Sequence, residues 1–440
     1  MKRIFSALFA VLIVLFSAFS AGAIDYGCEI EPVCDAVYIE EMNTGTVVYE
    51  YYADEQYRDQ LYPASTTKIM TFIIVYENVT DLETKVEITS ASLADLDPES
   101  SVMGLESHIG ESFSVRDLLY GLMLPSGNDA ALVLAEYVGG SVDGFVDMMN
   151  RKASQLGCEH THFTSPHGLH SPQHYTTARD MAVITKYALK LDGFMEICNT
   201  VTYQPEGFYN SFSTTNYLLD STAYYGDYYY PYAKGIKTGY TDEAGKCLIS
   251  TAEKDGYRYL CIAMGADYSY YEDVNYAMLD TVKLYDWAFD SLALTAAYDS
   301  SDVLKSIPVE HVWGNKQLDL VPESSVSALL PKGYDASRLS IKNEWTQDVA
   351  SAPVKKGDIY GTLTVYYDDE IIGKANIVAA EDVERDGAKY VLDQILGFIK
   401  AHIVLCIVIL LVIVIVITVL IRSAKRKKAR IARHNRAHMR

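Results

Sequence analysis

The chain has 440 residues, of which 58 are acidic and 37 basic, so its formal net charge at pH 7 is −21. All of the acidic residues but only 26 of the basic ones lie between residues 24 and 401. A region this acidic repels phosphate backbones and anionic lipid headgroups, which excludes nucleic acid as a partner. The seven cysteines are too few and too scattered to serve as a disulfide scaffold, although Cys28 and Cys34 could close a small loop.

The N-terminus has the pattern of a secretory signal peptide. Lys2 and Arg3 precede an apolar run over residues 4–19, and Ala21-Gly22-Ala23 is the small-x-small pattern that signal peptidases cleave. A retained anchor is the alternative, which the cleavage pattern disfavours. We therefore predict that residues 1–23 are removed.

Residues 24–295 are expected to form a mixed α/β domain, which begins with a β-hairpin around Asn43-Thr44-Gly45. Helical periodicity dominates the middle of this region, and β-type segments return near its end. One predicted helix begins with Ser114 and Asp117 in the spacing of a capping box and is stopped by Pro125. The predicted hairpin strands, helices and later strands cover residues 36–42, 46–52, 114–124, 128–138, 142–156, 176–191, 247–252 and 257–265.

A second region, residues 303–383, has a different character. Its β-type segments are short, helical periodicity is missing, and Asp368-Asp369-Glu370 separates two of the segments. This pattern predicts a small all-β domain. Residues 384–401 again have helical periodicity and are expected to form a stalk.

The C-terminus has the pattern of a membrane anchor. Residues 403–421 include no charged side chain, and 19 residues at about 1.5 Å each suit a bilayer core of about 30 Å. A buried core helix is the alternative, which the uniformly aliphatic composition disfavours. Residues 422–440 carry nine basic and no acidic side chains, which predicts a cytoplasmic tail by the positive-inside rule rather than a nucleic-acid-binding tail. We therefore predict a single transmembrane helix at 402–421, with residues 24–401 outside the cytoplasm at the cell membrane.

The first chemical signal is Ser65-Thr66-Thr67-Lys68, at the start of a predicted helix. Residues three apart lie on the same face of a helix, so the Ser65 hydroxyl and the Lys68 amine are expected to be neighbours. A serine hydroxyl becomes a good nucleophile when a neighbouring base takes its proton, and a lysine can be that base when burial and positive neighbours lower its pKa. Alone, Ser-x-x-Lys is a weak signal because helices contain it by chance.

Two further motifs strengthen that signal. Ser126-Gly127-Asn128 lies in a loop between two predicted helices, and Lys237-Thr238-Gly239 lies in an extended segment before the later β-strands. With Ser65-x-x-Lys68 they form, in order, the motif set of class A β-lactamases and penicillin-binding proteins.

The sequence resembles the low-molecular-weight penicillin-binding proteins, which are serine D-Ala-D-Ala carboxypeptidases of the peptidase S11 family. Residues 235–245 are similar to the family's extended third motif, and residues 163–169 resemble its Phe-x-Asn-Pro-His-Gly-Leu segment with Ser165 in place of Asn. Residues 352–358 and 378–381 resemble parts of its C-terminal β domain. The resemblance implies an α/β, β-lactamase/transpeptidase-like sandwich of an antiparallel sheet flanked by helices, then a small all-β domain and a C-terminal transmembrane helix.

The resemblance also implies roles for single residues. Ser65 is expected to attack the carbonyl between the two terminal D-alanines of a peptidoglycan stem peptide, with Lys68 taking its proton and Ser126 passing a proton to the leaving amine. The backbone N–H groups of Ser65 and Tyr240 are expected to form the oxyanion hole. Binding of the substrate, or of a β-lactam that mimics it, is implied for Asn128, Lys237, Thr238, Gly239 and Tyr240.

Two other functions stay open at this stage. A class A-like β-lactamase is disfavoured because the one Glu-x-x-x-Asn between the second and third motifs, Glu206 to Asn210, lies in a Tyr/Gly-rich segment typical of a loop. A catalytically inactive wall-binding or penicillin-sensing module is disfavoured by the completeness of the motifs.

Five histidines at positions 160, 162, 167, 170 and 174 also raise the possibility of a zinc site. Gly168 and Pro172 interrupt helical spacing, however, and no His-Glu-x-x-His pattern is present. We expect solvated loop histidines with one packing histidine, His167, and neither a metal nor an organic cofactor.

Overall fold

The computed structural model of the protein describes residues 26–267 and 274–437. The predicted signal peptide therefore lies outside the described residues. The chain divides into two compact units, the first comprising the described parts of Met1–Thr295 and Ala328–Ala336, and the second those of Ala296–Ser327 and Ser337–Arg440. The second unit thus begins before the expected boundary at residue 303, and a segment of the expected β domain belongs to the first unit.

The first unit alternates between sheet strands and helices, and the nucleophile candidate precedes its first α-helix in a 3-10 turn, Ala64–Thr67. The α-helices and strands from the start of this unit to residue 298 are, in chain order, β1 (Ala36–Glu41), β2 (Thr46–Tyr52), α1 (Lys68–Asn78), β3 (Lys85–Glu87), β4 (Ser112–Ser114), α2 (Val115–Met123), α3 (Asn128–Gly139), α4 (Val142–Gln155), α5 (Ala178–Ala188), α6 (Phe194–Cys198), β5 (Thr202–Tyr203), β6 (Phe212–Ser213), β7 (Ala233–Thr241), β8 (Gly245–Lys254), β9 (Tyr257–Ala266), α7 (Tyr276–Ser291) and β10 (Leu292–Tyr298).

A five-stranded antiparallel sheet with strand order β2-β1-β9-β8-β7 is the centre of this unit. Successive side chains of a strand point to opposite faces, so each strand can contribute to two cores. In β9, Leu260 and Ile262 join the core that contains the buried residues of α1 to α6, whereas Tyr259 and Cys261 join the core that contains those of α7. The predicted sandwich of an antiparallel sheet between helical layers is confirmed.

Local sequence signals explain several element boundaries. The hairpin turns at Gly45, whose φ of +72° suits glycine, and joins β1 to β2 as predicted. Helix α2 begins at a capping box in which Ser114 accepts from the Asp117 N–H and the Asp117 carboxylate accepts in return. Helix α5 was predicted over residues 176–191 but spans Ala178–Ala188. Its start is set by Thr177, whose side chain caps the helix by accepting from the Asp180 N–H.

The second unit contains a six-stranded sheet with strand order β14-β16-β17-β12-β11-β15. Its strands are β11 (Lys305–Glu310), β12 (Gln317–Pro322), β14 (Leu339–Trp345), β15 (Ala350–Ser351), β16 (Ile359–Tyr367) and β17 (Glu370–Ala379). Between β12 and β14 the chain forms β13 (Val326–Pro331), most of which belongs to the first unit and pairs with β10. Buried aliphatic side chains such as Leu318, Leu363 and Ile377 form the core of the second unit. The predicted C-terminal β domain is confirmed.

Two helices follow, α8 (Gly387–Ala401) and α9 (Ile403–Ala437), separated by His402 alone. The stretch Ile403–Ala429 of α9 is the one helical segment in the described part of the chain that is long and apolar enough to cross a membrane. None of it is buried against the rest of the protein, unlike the core helix of a soluble domain.

Candidate active site

The site is built around the turn that precedes α1. Ser65 lies in this 3-10 turn and is half-buried, whereas its neighbours Ala64 and Thr66 are buried. The residue before it, Ala64, has a φ of +46°, which is unusual for a side chain with a Cβ. Behind the turn, the fully buried Ile69 and Phe72 anchor α1 in the helical core.

Lys68 makes three hydrogen bonds although its side chain is completely buried. Its Nζ lies 2.9 Å from Ser65 Oγ, 2.7 Å from Asn128 Oδ1 and 2.9 Å from the carbonyl oxygen of His167. Burial lowers the pKa of this amine well below its usual range, and the positive charge of Lys237 lowers it further. The arrangement therefore favours the neutral amine.

A neutral Lys68 has a defined hydrogen-bond pattern. It carries two hydrogens and one lone pair, and the oxygens of Asn128 and His167 can only accept. Both hydrogens are used by those two oxygens, so the lone pair faces Ser65 Oγ, the one partner with a hydrogen to donate. This geometry is suited to removing the hydroxyl proton.

The second motif lies in the connection between α2 and α3. Ser126 has a φ of +65°, and its buried Oγ has no hydrogen-bond partner in the described part of the chain. Two residues on, Asn128 begins α3, and its backbone N–H donates to Ser101. The next residue of α3, Asp129, holds a loop that comes earlier in the chain. Its carboxylate accepts hydrogen bonds from the backbone N–H groups of Met103, Gly104 and Leu105, which fixes their loop against α3.

Gly127 stands where a side chain would collide with atoms of α2 and α3. A Cβ built there would lie 2.8 Å from the Gly121 carbonyl oxygen and 2.8 Å from Asp129 Oδ1. Ser-Gly-Asn therefore fits this backbone, and the Ser-Asp-Asn version of the motif does not.

The third motif lies on β7, the edge strand of the sheet. Lys237 is 1% exposed, its Nζ donates to the Thr238 carbonyl oxygen at 2.9 Å, and burial lowers its pKa to about 7. A Cβ on Gly239 would lie only 3.0 Å from the Ser65 nitrogen, so the strand runs directly beside the nucleophile turn. Tyr240 is partly exposed, and its hydroxyl donates to Asp242.

The residues predicted from sequence thus converge to different degrees. Ser65, Lys68 and Asn128 are in direct contact, Gly239 adjoins Ser65, and Lys237 acts on the pKa of Lys68. The Tyr240 hydroxyl donates to Asp242, and the Lys246 ammonium lies 4.2 Å from the centroid of the Tyr240 ring.

Sequence reasoning missed two contributors to the site. The first is the carbonyl of His167, which no side-chain pattern can indicate because it is a backbone group. The second is Thr215, whose Oγ1 lies 2.5 Å from Thr238 Oγ1. No motif in the sequence marked Thr215.

The histidines correct one expectation. His167 is buried as expected, but His174 is buried too, at 1% exposure, rather than a solvated loop residue. Its Nδ1 accepts from the Thr164 N–H at 3.0 Å, so its Nε2 carries the hydrogen and donates to Thr67 Oγ1 at 2.8 Å. Burial lowers the pKa of both His167 and His174 to about 3.

Three other expectations concern residues outside the motifs. Within residues 26–267 and 274–437, no group of three or more His, Cys, Asp or Glu side chains has the arrangement of a metal site. Glu206 and Asn210 are exposed. Cys28 and Cys34 are free thiols, so the small disulfide loop that the sequence left open is not formed.

Comparisons with known proteins agree with this geometry. Residues 31–268 match the peptidase S11 family model, described as D-alanyl-D-alanine carboxypeptidase, and residues 296–385 match the C-terminal domain of penicillin-binding protein 5. The chain is 30% identical over 405 residues to the D-alanyl-D-alanine carboxypeptidase DacF of Bacillus subtilis, covering 90% of this chain and 98% of that one. It is 33% identical over 259 residues to a D-alanyl-D-alanine carboxypeptidase of Streptomyces sp. K15, covering 55% of this chain and 84% of that one.

Among solved structures, penicillin-binding protein 5 from Haemophilus influenzae superposes with a TM-score of 0.61 at 26% identity, covering 81% of this chain and 99% of that one. The likeness therefore extends across both folded units, and the matched S11 region alone is more than half of the chain. The chain belongs to the peptidase S11 family of D-alanyl-D-alanine carboxypeptidases, which are penicillin-binding proteins.

Proposed function

We propose that this protein removes the terminal D-alanine from peptidoglycan pentapeptide stems, with Ser65 as the nucleophile, and so limits cross-linking of the cell wall. The observation that carries the proposal is the environment of Lys68, whose buried amine lies 2.9 Å from the Ser65 hydroxyl oxygen and also contacts two oxygens that can only accept hydrogen bonds. The reaction class is that of the family; the roles of the individual residues are inferred from their contacts.

Acylation begins when Lys68 takes the Ser65 proton as Oγ bonds to the carbonyl carbon of the penultimate D-alanine. The developing oxyanion is held by the backbone N–H groups of Ser65 and Tyr240, and Gly239 allows the strand to lie this close. When the carbon–nitrogen bond breaks, the leaving amine needs a proton. Ser126 is suited to pass it on because its buried hydroxyl has no partner within the described residues.

The charged groups of the site fit the substrate's ends. Lys237 and the Thr238 hydroxyl are suited to hold the terminal carboxylate, one by charge and the other by a hydrogen bond. The Asn128 amide, whose oxygen faces Lys68, has N–H groups to offer to the substrate backbone. Water then attacks the acyl-enzyme, Lys68 takes its proton, and Ser65 is regenerated.

A β-lactam presents a similar acyl group and carboxylate and would acylate the same serine. A β-lactamase would then need a second base to clear the adduct quickly. Glu206 and Asn210, the one pair whose spacing suggested such a base, are exposed loop residues. This favours a stable penicillin adduct over rapid turnover.

We further propose that the folded units lie outside the cytoplasm and that α9 anchors them in the cell membrane, with residues 422–440 on the cytoplasmic side. The apolar stretch of α9 supports the anchor, and the nine basic residues after it support the orientation.

The function is tested by mass spectrometry of the purified protein incubated with diacyl-Lys-D-Ala-D-Ala and, separately, with penicillin. We expect release of one D-alanine per peptide and a penicillin adduct on the Ser65 peptide that persists for many minutes. Ser65→Ala should lose both signals, whereas Ser154→Ala, at an exposed position of α4, should keep both. An adduct that disappears within seconds indicates a β-lactamase, and the absence of any adduct indicates an inactive wall-binding or penicillin-sensing module.

A further inference from the structure

We propose that Thr215 is a positioning residue for substrate binding, which acts through Thr238 to hold the terminal carboxylate. This inference rests on the proposed function, because it assigns a new residue to the same site. Thr215 belongs to none of the three motifs, and it lies 23 residues before Thr238 in the chain.

The starting observation is a contact between two hydroxyl groups. Thr215 Oγ1 and Thr238 Oγ1 are 2.5 Å apart, and both side chains are half-buried rather than immersed in solvent. Thr238 follows Lys237, the buried cation of the site. Thr215 therefore adds a second hydroxyl beside the carboxylate-binding pair.

The segment that carries Thr215 is tied to both neighbouring motifs. The Thr215 N–H donates to the Leu124 carbonyl at 3.2 Å, two residues before Ser126. The amide of the buried Asn216 donates to the Gly235 carbonyl at 2.6 Å, two residues before Lys237. These bonds hold the Thr215 hydroxyl in register with β7, so its contact with Thr238 follows from the backbone.

The hydroxyl pair leaves one hydrogen to give to a ligand. Each hydroxyl has one hydrogen, and one hydrogen is sufficient for the bond between the two oxygens. Within the part of the chain that the structure describes, the two side-chain hydroxyls have only each other as hydrogen-bond partners. The second hydrogen therefore has no acceptor among the described residues, and a carboxylate beside Lys237 would supply one.

The bond between the hydroxyls also sets the direction of that free hydrogen. When Thr215 donates to Thr238, the Thr238 oxygen is polarised and its own hydrogen is turned away from Thr215, toward the ligand. Without Thr215, the Thr238 hydroxyl loses this constraint and its hydrogen is no longer held in the direction of the carboxylate.

The test compares two thioester substrates of the full chain in detergent. One is an acyl-D-Ala thioester of thioglycolate, which has a free carboxylate, and the other is its methyl ester, which has none. For Thr215→Val, which keeps the shape of the side chain and removes the hydroxyl, we expect kcat/KM on the carboxylate substrate to fall about ten-fold, chiefly through KM, since the Thr238 hydroxyl is no longer polarised and held in the direction of the charged group that it binds. The methyl ester should be affected less than about two-fold.

Two variants serve as controls. Thr215→Ser retains the hydroxyl and should restore most of the carboxylate activity. Thr46→Val makes the same chemical change in β2, at the opposite edge of the sheet from β7, and should leave both substrates unaffected.

The inference is overturned if Thr215→Val lowers activity on both substrates equally, which would indicate a purely structural role, or if it changes neither. Failure of the proposed function itself would be seen separately, as a wild-type chain that does not cleave the carboxylate substrate or a Ser65→Ala variant that still does.

Discussion

The two buried lysines of the site need opposite charge states. Lys68 must be neutral to take a proton, whereas Lys237 must be charged to hold a carboxylate. Both are buried, and burial lowers the pKa of each because it penalises the ammonium form. The charge on Lys237 additionally lowers the pKa of Lys68, so the same cation that would bind the substrate also helps to create the base.

This pairing predicts a bell-shaped pH dependence of kcat/KM for penicillin acylation. Activity should fall toward acid as Lys68 becomes protonated, and toward alkali as Lys237 of the free enzyme loses its charge above a pKa of about 7. In Lys237→Arg the charge persists, so the alkaline limb should disappear while the acid limb remains. Stopped-flow acylation rates from about pH 5 to pH 10 measure both limbs. An unchanged alkaline limb in Lys237→Arg would assign that limb to another group.

A single glycine also explains why the second motif reads Ser-Gly-Asn. The space that a Cβ would need at Gly127 is occupied by the Gly121 carbonyl oxygen and the Asp129 carboxylate. We therefore expect Gly127→Ala to lower the free energy of unfolding by about 1–3 kcal/mol, as overpacking of a rigid site does. Gly127→Asp should cost at least as much.

The matched control for this change is Gly387→Ala in α8, where a Cβ would meet no atom within 4 Å. Urea unfolding followed by circular dichroism gives the difference between the two variants. Equal stability of Gly127→Ala and Gly387→Ala would show that the loop around Asp129 can move aside.

At the scale of elements, sequence reasoning succeeded where the signal is local. The capping box predicted the start of α2, the Asn-Thr-Gly turn predicted the β1–β2 hairpin, and uninterrupted aliphatic composition predicted the apolar part of α9. The three-residue pair β3 and β4 was missed because strands this short have no measurable periodicity. Its pairing partners are also 25 residues or more apart in the chain.

The segment 163–174 shows what a motif can and cannot predict. Sequence reasoning recognised residues 163–169 as similar to a family segment, but it did not predict that the His167 carbonyl binds Lys68 or that His174 is buried. Burial of His174 depends on its bonds to Thr67 and Thr164, which only the folded chain brings together. From its residue type alone, His174 was expected to be exposed to solvent.

Burial of His167 and His174 predicts that acid destabilises the fold around the site. Their pKa values are lowered to about 3 in the folded state, so between pH 6.5 and 3 the unfolded chain binds more protons than the folded one. Stability should therefore fall as the pH falls through this range, by about 1.4 kcal/mol per pH unit for each such histidine.

The measurement is the free energy of unfolding as a function of pH for three chains. His174→Gln should have a shallower acid slope than the wild type, because one proton-binding group is removed. His160→Gln, at an exposed position, should keep the wild-type slope. A His174→Gln slope equal to that of the wild type would mean that His174 is protonated in the folded state.

At the scale of the whole molecule, the site is assembled from distant parts of the sequence. The contact of Lys68 with Asn128 joins residues 60 positions apart, and that with His167 joins residues 99 positions apart. Motif order and chemistry predicted that the three motifs converge, because each supplies a group that the others need. Motif spacing could not predict that residues 214–216 lie beside the site. Their proposed role depends on hydrogen bonds that tie them to the backbone next to the second and third motifs.

The folded units and the proposed anchor helix α9 occupy separate parts of the sequence, so we predict that the folded units function without α9. Every polar group named in the site lies between residues 65 and 242, whereas the apolar stretch of α9 begins at Ile403 and none of it is buried against the protein. Removal of residues 402–440 should therefore release a soluble protein that still forms the penicillin adduct at the wild-type rate.

Fractionation of cells after a carbonate wash tests this directly. The full chain should stay in the membrane pellet and the truncated chain should move to the supernatant, because about 20 apolar residues are enough to keep a helix in the bilayer. Replacing Val412 and Ile413 together by Lys, which places two charges mid-span, should release the chain in the same way, since each such charge costs about 3 kcal/mol there. A truncated chain that remains in the pellet would show that another part of the molecule, such as the exposed apolar side chains of α8, holds it to the membrane without α9.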